Sequence, residues 1–169
     1  MRKTSAWTAL VVAGLTLAPA MGAASQVAES GPMVKRGTDP VDLEERARSL
    51  FTNPERYDEA ARLYARAADL RDAGDRMRVE DLMMAARLTF YDGSAAKARV
   101  LMERAADEAL AAGDVIIAAH AFVDAAYLAR DARENERVAE LLNRAKMLAG
   151  SPLIAQKERE NILSRVTQG

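Results

Sequence analysis

The chain has 169 residues, half of them apolar, 29% charged and 5% aromatic, with a formal net charge of −1. Thirty-six alanines against nine glycines and five prolines exclude collagen-like, mucin-like and wholly disordered chains, and point to packed helices. With no cysteine there is no disulfide and no thiolate metal site, and a single histidine leaves no polyhistidine metal site and no ordinary catalytic triad.

Residues 1–24 read as a secretory signal peptide. Arg2 and Lys3 form a basic start, an apolar run extends from Ala6 to Ala18, and small residues follow at Ala18-Pro19-Ala20 and Gly22-Ala23-Ala24. The run is too short before Pro19 to serve as a membrane anchor, which needs about 20 apolar residues. Cleavage after Ala20 or Ala24 fits the small-residue requirement, and no cysteine is present for a lipoprotein. The mature chain is expected to be periplasmic or secreted, with no stable membrane insertion. Cleavage after Ala24 removes Arg2 and Lys3 and no acid, which moves the net charge from −1 to −3. That is too acidic for nucleic-acid binding through phosphates.

Residues 25–38 carry Gly31, Pro32 and Gly37 without apolar periodicity, and read as a flexible tether. Seven helices are expected after it. Asp39-Pro40 caps the first, which runs to about 52, and Asn53-Pro54 repeats the device for a second to about 73. Gly74-Asp75 stops that helix and caps a third to about 91. Gly93-Ser94 opens a fourth, Gly113-Asp114 a fifth to about 130, and Asp131 or Asn135 a sixth. Gly150-Ser151-Pro152 opens a seventh, to about 166. Short connections make neighbouring helices antiparallel, and no stretch alternates with period two, so no strand is expected.

The chain resembles itself. Gly74, Gly113 and Gly150 close similar segments 39 and 37 residues apart, and Arg66-Ala67-Ala68-Asp69 recurs as Arg104-Ala105-Ala106-Asp107. Arg144-Ala145-Lys146-Met147 follows. The second helix of each pair carries a small residue, a large one four later and an alanine three beyond. These are Ala60-Tyr64-Ala67, Ala98-Met102-Ala105 and Val138-Leu142-Ala145. Offsets of four and seven place each triple on one helix face. In the second and third repeats Ala86 or Ala126 stands twelve positions earlier, with Leu82 or Phe122 four before that. The first repeat is looser, with Ala47 and Phe51.

This pattern resembles the tetratricopeptide repeat family over about residues 40–150. It departs from the family in its period of 38–40 residues, in the missing closing proline, and in Leu82 or Phe122 where the family carries an early aromatic. The fold class expected is therefore all-α: antiparallel helix-pair repeats stacked as a short tetratricopeptide-like α-solenoid. Three helix-pair repeats fill residues 39–150, and residues 151–169 form a C-terminal capping helix, polar almost all round.

The resemblance implies that peptides or partner proteins dock on the first helix of each pair. Carried over, that face includes Glu80, Met83, Arg87 and Tyr91 in the second repeat, and His120, Val123, Tyr127 and Arg130 in the third. In the first repeat it is Asp42, Glu45 and Ser49. The Lys/Asn set by which some family members grip a terminal carboxylate is absent.

Enzyme chemistry finds little support. There is no glycine-rich phosphate loop, no G-x-S-x-G and no H-E-x-x-H. Asp124 lies four residues from His120 and could orient its ring, which makes an i,i+4 pair rather than a catalytic site. The acids Glu44-Glu45, Asp131 to Glu136 and Glu158-Glu160 alternate with arginine as on solvated faces. Adjacent Met83 and Met84 cannot both face one narrow core, so one is available to line a groove. The expectation is an exported, non-enzymatic scaffold that mediates protein–protein or peptide binding in the cell envelope, without metal or cofactor. The alternative is a small-ligand carrier or sensor with a cavity between helices.

Overall fold

The structure, a computed structural model, describes residues 39–168. The expected signal peptide and tether lie outside the described residues. Seven α-helices follow in order: α1 Pro40–Ser49, α2 Tyr57–Leu70, α3 Arg76–Tyr91, α4 Ala95–Ala111, α5 Val115–Asp131, α6 Asn135–Ala149 and α7 Gln156–Gln168. No strand occurs among the described residues. Each helix packs on the next, and α7 also reaches back to α5, so the fold is an all-α, solenoid-like succession of hairpins.

The starts are fixed by short polar side chains. Asp39 accepts from the Val41 N–H at 2.8 Å, Asp75 from Met77 at 2.8 Å and Asp114 from Ile117 at 3.0 Å. Each thereby satisfies an N–H that the helix itself leaves unpaired. Asn53 caps not an α-helix but a single 3₁₀ turn, Pro54–Arg56, from which α2 starts.

The ends share one device. Ser94 N–H bonds to Thr89 O (3.1 Å), Asp114 to Ala109 (2.8 Å) and Glu134 to Ala129 (2.9 Å). In each, the residue just before the donor has positive φ: Gly93 at 93°, Gly113 at 80° and Arg133 at 63°. The turns recur at twenty-residue steps, half the hairpin period, and two of the three use the residue best suited to left-handed backbone. Arg133 carries a Cβ there and makes no ion pair with any described residue. Arg133→Gly is therefore expected to raise stability by about 1 kcal/mol. A urea midpoint at or below the wild-type value would contradict this.

The seam positions are filled as the spacing requires. Ala60, Ala67, Ala86, Ala98, Ala105, Ala126 and Ala145 are fully buried, as are Leu82 and Phe122. Alanine brings helix axes toward the ~8 Å end of their range. Tyr64 and Met102 fill the grooves, whereas Val138 and Leu142 of the outermost triple are only half-buried. Met83 and Met84 both pack inward, Met83 toward the central and C-terminal clusters and Met84 toward the N-terminal one. Adjacent residues can do this because α3 has core on both flanks.

The repeated Arg-Ala-Ala-Asp segment makes a ladder between hairpins. Asp69 of one copy pairs with Arg104 of the next at 2.6 Å, and Asp107 of that copy pairs with Arg144 at 2.5 Å. These pairs are largely exposed and contribute register more than energy.

Two features differ from the sequence reading. The seventh helix begins at Gln156 rather than near Ser151. Residues 151–155 form a turn that sinks Ile154 into the core, and Arg159 Nη2 reaches back to the carbonyls of Ser151 (3.1 Å) and Ile154 (3.3 Å). Glu44 is not on a solvated face: it is 4% exposed, and only Glu45 beside it is wet.

Candidate functional site

A cleft of about 240 Å³ opens between α3 and α5, with Met102 of α4 and Ala86 at its floor. Both floor residues are buried, so the cleft is the space that two alanine-seamed helices leave where their side chains diverge. One wall is Arg87, Phe90 and Tyr91, and the other is Asp124, Tyr127, Leu128 and Asp131.

Aromatic residues concentrate at its mouth. Tyr91 is 68% exposed and Phe90 38%, and their rings lie 6.0 Å apart. The Tyr57 ring, from the start of α2, lies 6.1 Å from Tyr91. Tyr57 itself is half-buried against the N-terminal core, Tyr127 stands on the facing wall, and the remaining aromatic side chains among the described residues, Phe51, Tyr64 and Phe122, are buried or half-buried core. Arg87 touches only the Met84 sulfur (3.9 Å), and neither it nor Asp131 forms an ion pair with a described residue.

Of the residues predicted for docking, the cleft brings together Arg87, Tyr91 and Tyr127. Glu80 stands apart on the exposed side of α3, paired with Arg76 at 3.2 Å. Met83 is half-buried in the core, and Val123 is fully buried. Val123 is closed to a partner and Met83 is partly covered, because α5 and α3 each have core on more than one side.

His120 and Arg130 meet α7 instead, and Tyr127 reaches α7 with its hydroxyl while its ring lines the cleft. His120 Nε2 lies 2.5 Å from Glu158 Oε1, and Arg165 Nη1 lies 2.9 Å from His120 Nδ1. Arginine can only donate, so Nδ1 accepts and the proton sits on Nε2 toward Glu158. Asp124 does not orient the histidine: it pairs with Arg165, a stronger partner delivered by α7. The Tyr127 hydroxyl donates to Arg165 O at 2.8 Å. The Arg130 guanidinium lies 5.1 Å from the centre of the Tyr127 ring and bonds Gln168 O at 3.5 Å. Three of these α5–α7 contacts, His120–Glu158, Tyr127–Arg165 and Arg130–Gln168, span 38 residues each. The seventh helix thus packs along α5 in a register offset by 38 residues at all three contacts.

Phe90, Asp131, Tyr57 and the buried floor were not in the predicted set. Phe90 and Asp131 lie beside predicted positions, and the aromatic pair Phe90-Tyr91 at a helix end was the available signal. In the first hairpin Asp42, Glu45 and Ser49 are exposed, and the cleft does not include them.

Two further depressions, of about 700 and 430 Å³, lie along the start of α6 and along α4. Most of the charged side chains that line them are engaged in ion pairs, such as Arg137 with Glu140 in the first and Arg104 with Asp69, beyond the lining, in the second. Glu103 accepts from both Arg137 and Arg99. Burial pushes the Glu103 carboxyl up, but those two guanidiniums outweigh it and hold the group below its ordinary value. Arg99 also sits 2.6 Å from Glu134, without the alignment of a hydrogen bond. Among the described residues no cluster of His, Asp and Glu is arranged to hold a metal, and no helix is long and apolar enough to cross a membrane.

No family model, curated protein or solved structure matches this chain.

Proposed function

We propose that the chain is a divergent tetratricopeptide-like scaffold, exported and not itself an enzyme, that docks a protein or peptide partner in the α3–α5 cleft. The observation that carries this reading is the exposed aromatic group at the cleft mouth. Tyr91 stays 68% exposed with its ring near those of Phe90 and the half-buried Tyr57, a group of rings rather than one scattered apolar side chain. Aromatic residues and arginine dominate binding energy at interfaces, and Arg87 and Asp131 on opposite walls give an entering segment one cation and one anion to match. The tetratricopeptide resemblance assigns docking to the same helices. Carriage of a small ligand is less well supported. Ligand pockets run from about 300 to 1,000 Å³ and enclose their contents. This cleft is smaller and open, sized for one large side chain of a bound segment.

The test combines two substitutions at exposed positions, Arg87→Ala and Tyr91→Ala, which leave the buried floor intact. A photo-reactive residue placed at position 91 in cells is expected to cross-link one reproducible protein. The same group at Val100, exposed on α4, is expected not to. The double variant should bind that partner at least about 30-fold more weakly, the loss of one interface anchor of ~2 kcal/mol. Equal cross-linking from both positions, or unchanged affinity, would remove the cleft from the proposal. An unprocessed cytosolic product on cell fractionation would remove export.

A further inference from the structure

The first two hairpins are tied together by a buried group of charges that the cleft does not use. Arg71, at the end of α2, donates from Nε to Asp81 of α3 at 2.9 Å and from Nη2 to Glu44 of α1. The side chains of Asp81 and Glu44 are 3% and 5% exposed, and that of Arg71 11%. Around this trio stand Asp75, the cap of α3, 3.5 Å from Arg71, and Arg48 of α1, 2.7 Å from Glu44. Tyr64 of α2 faces the same charges, and burial raises its hydroxyl pKa. Toward α4 the nearest pair is Arg78 with Glu108 at 2.6 Å, already balanced. Three carboxylates thus surround two guanidiniums. One negative charge is in surplus, and the deepest site has two anions on one cation.

We propose that this cluster is a proton-operated clasp: uptake of one proton by Asp81 fastens α1 and α3 to the turn between α2 and α3, so that the first hairpins tighten as the medium acidifies. A neutral carboxyl keeps the oxygen to which Arg71 Nε donates and removes the surplus charge from a site where water cannot screen it. Burial first, and the neighbouring carboxylates second, push the Asp81 carboxyl up to about 6 despite Arg71. In the unfolded chain it returns to about 3.9. The folded state therefore holds the extra proton between these values. The added stability is complete below the unfolded value and is lost as pH rises through about 6. The Glu103 cluster is built the other way round at its centre, with one buried carboxylate held by two guanidiniums, Arg99 and Arg137, which also pair with Glu134 and Glu140 at the rim. Its carboxyl stays ionised on mild acidification, and its contribution is lost only below the ordinary glutamate range. The two halves thus differ in the sign of their response to pH.

Hydrogen exchange of the full chain at pH 5.0 and 7.5, corrected for intrinsic rates, tests this helix by helix. Protection of α1 and α2 relative to α5 and α6 is expected to rise about tenfold at the lower pH. Asp81→Asn keeps an acceptor for Arg71 and is expected to abolish the rise. A rise of equal size in the variant, or none in the wild type, would overturn the clasp. If the variant does not fold, carboxyl-carbon NMR titration of the wild-type chain decides. A midpoint for Asp81 near 6 supports the clasp, and one at or below about 4 overturns it.

Discussion

Phe122→Ala is expected to destabilise the chain by about 3–5 kcal/mol, near the upper limit for one core truncation. Phe122 is the largest fully buried side chain, and it sits on α5, the helix with neighbours on most sides. What surrounds it is decisive. Ala119, Ala121, Ala125, Ala126 and Ala145 share its cluster, and alanine has no side-chain torsion with which to move into a void. The cavity would stay open, and the cost of losing the ring would be joined by the cost of the hole. The Arg144 guanidinium, 3.9 Å over the ring, would lose its aromatic partner as well. The same change at Phe51, half-buried at the end of α1, is expected to cost clearly less. Urea unfolding of the two variants checks this. A loss below about 1.5 kcal/mol for Phe122→Ala, or equal losses at both positions, would show that the seam can collapse around the gap.

The alanine seam was legible in the sequence because it is periodic. The small–large–alanine triples fixed which face of each second helix is buried, and the glycine punctuation located the turns to within a few residues. Asp131 and Asn135 located the turn after α5, but not its left-handed residue, because a charged side chain, Arg133, stands where Gly113 and Gly93 stand twenty and forty residues earlier in the chain. The start of α7 was misplaced because Ser151-Pro152 looks like a cap followed by a first-turn proline. Burial of Ile154 outweighs that local preference.

The candidate site was half legible. The docking face carried over from the family resemblance included Arg87, Tyr91 and Tyr127. It also included Val123 and Met83, because such a face assumes one open side, and α3 and α5 have core on more than one. Phe90 and Asp131 join the cleft because two helix ends come together there, which no single-helix pattern encodes. The partners of Arg71 were hidden for the same reason. They lie 10 and 27 residues away, beyond any i,i+4 rule, and Glu44 next to Glu45 reads as an ordinary wet pair until α3 covers it.

Arg71→Met follows from that burial and is expected to cost about 3–5 kcal/mol. Methionine fills much of the volume, so the loss is electrostatic rather than steric. Glu44 and Asp81 would be left buried together, with Arg48 on the exposed rim beside Glu44 and Arg78 already paired with Glu108. The defect should therefore be repaired by removing charge rather than by restoring it. Arg71→Met combined with Asp81→Asn is expected to recover at least half of the loss, and adding Glu44→Gln to recover more. Lower pH should act in the same direction, because in the single variant Asp81 has lost its cation and takes up a proton more readily than in the wild type. The deficit is thus expected to narrow between pH 7.5 and pH 5. Urea unfolding of the four chains at both pH values measures it. If charge removal fails to rescue Arg71→Met, then what holds the first hairpins together is the shape of the arginine and not the pairing of its charge.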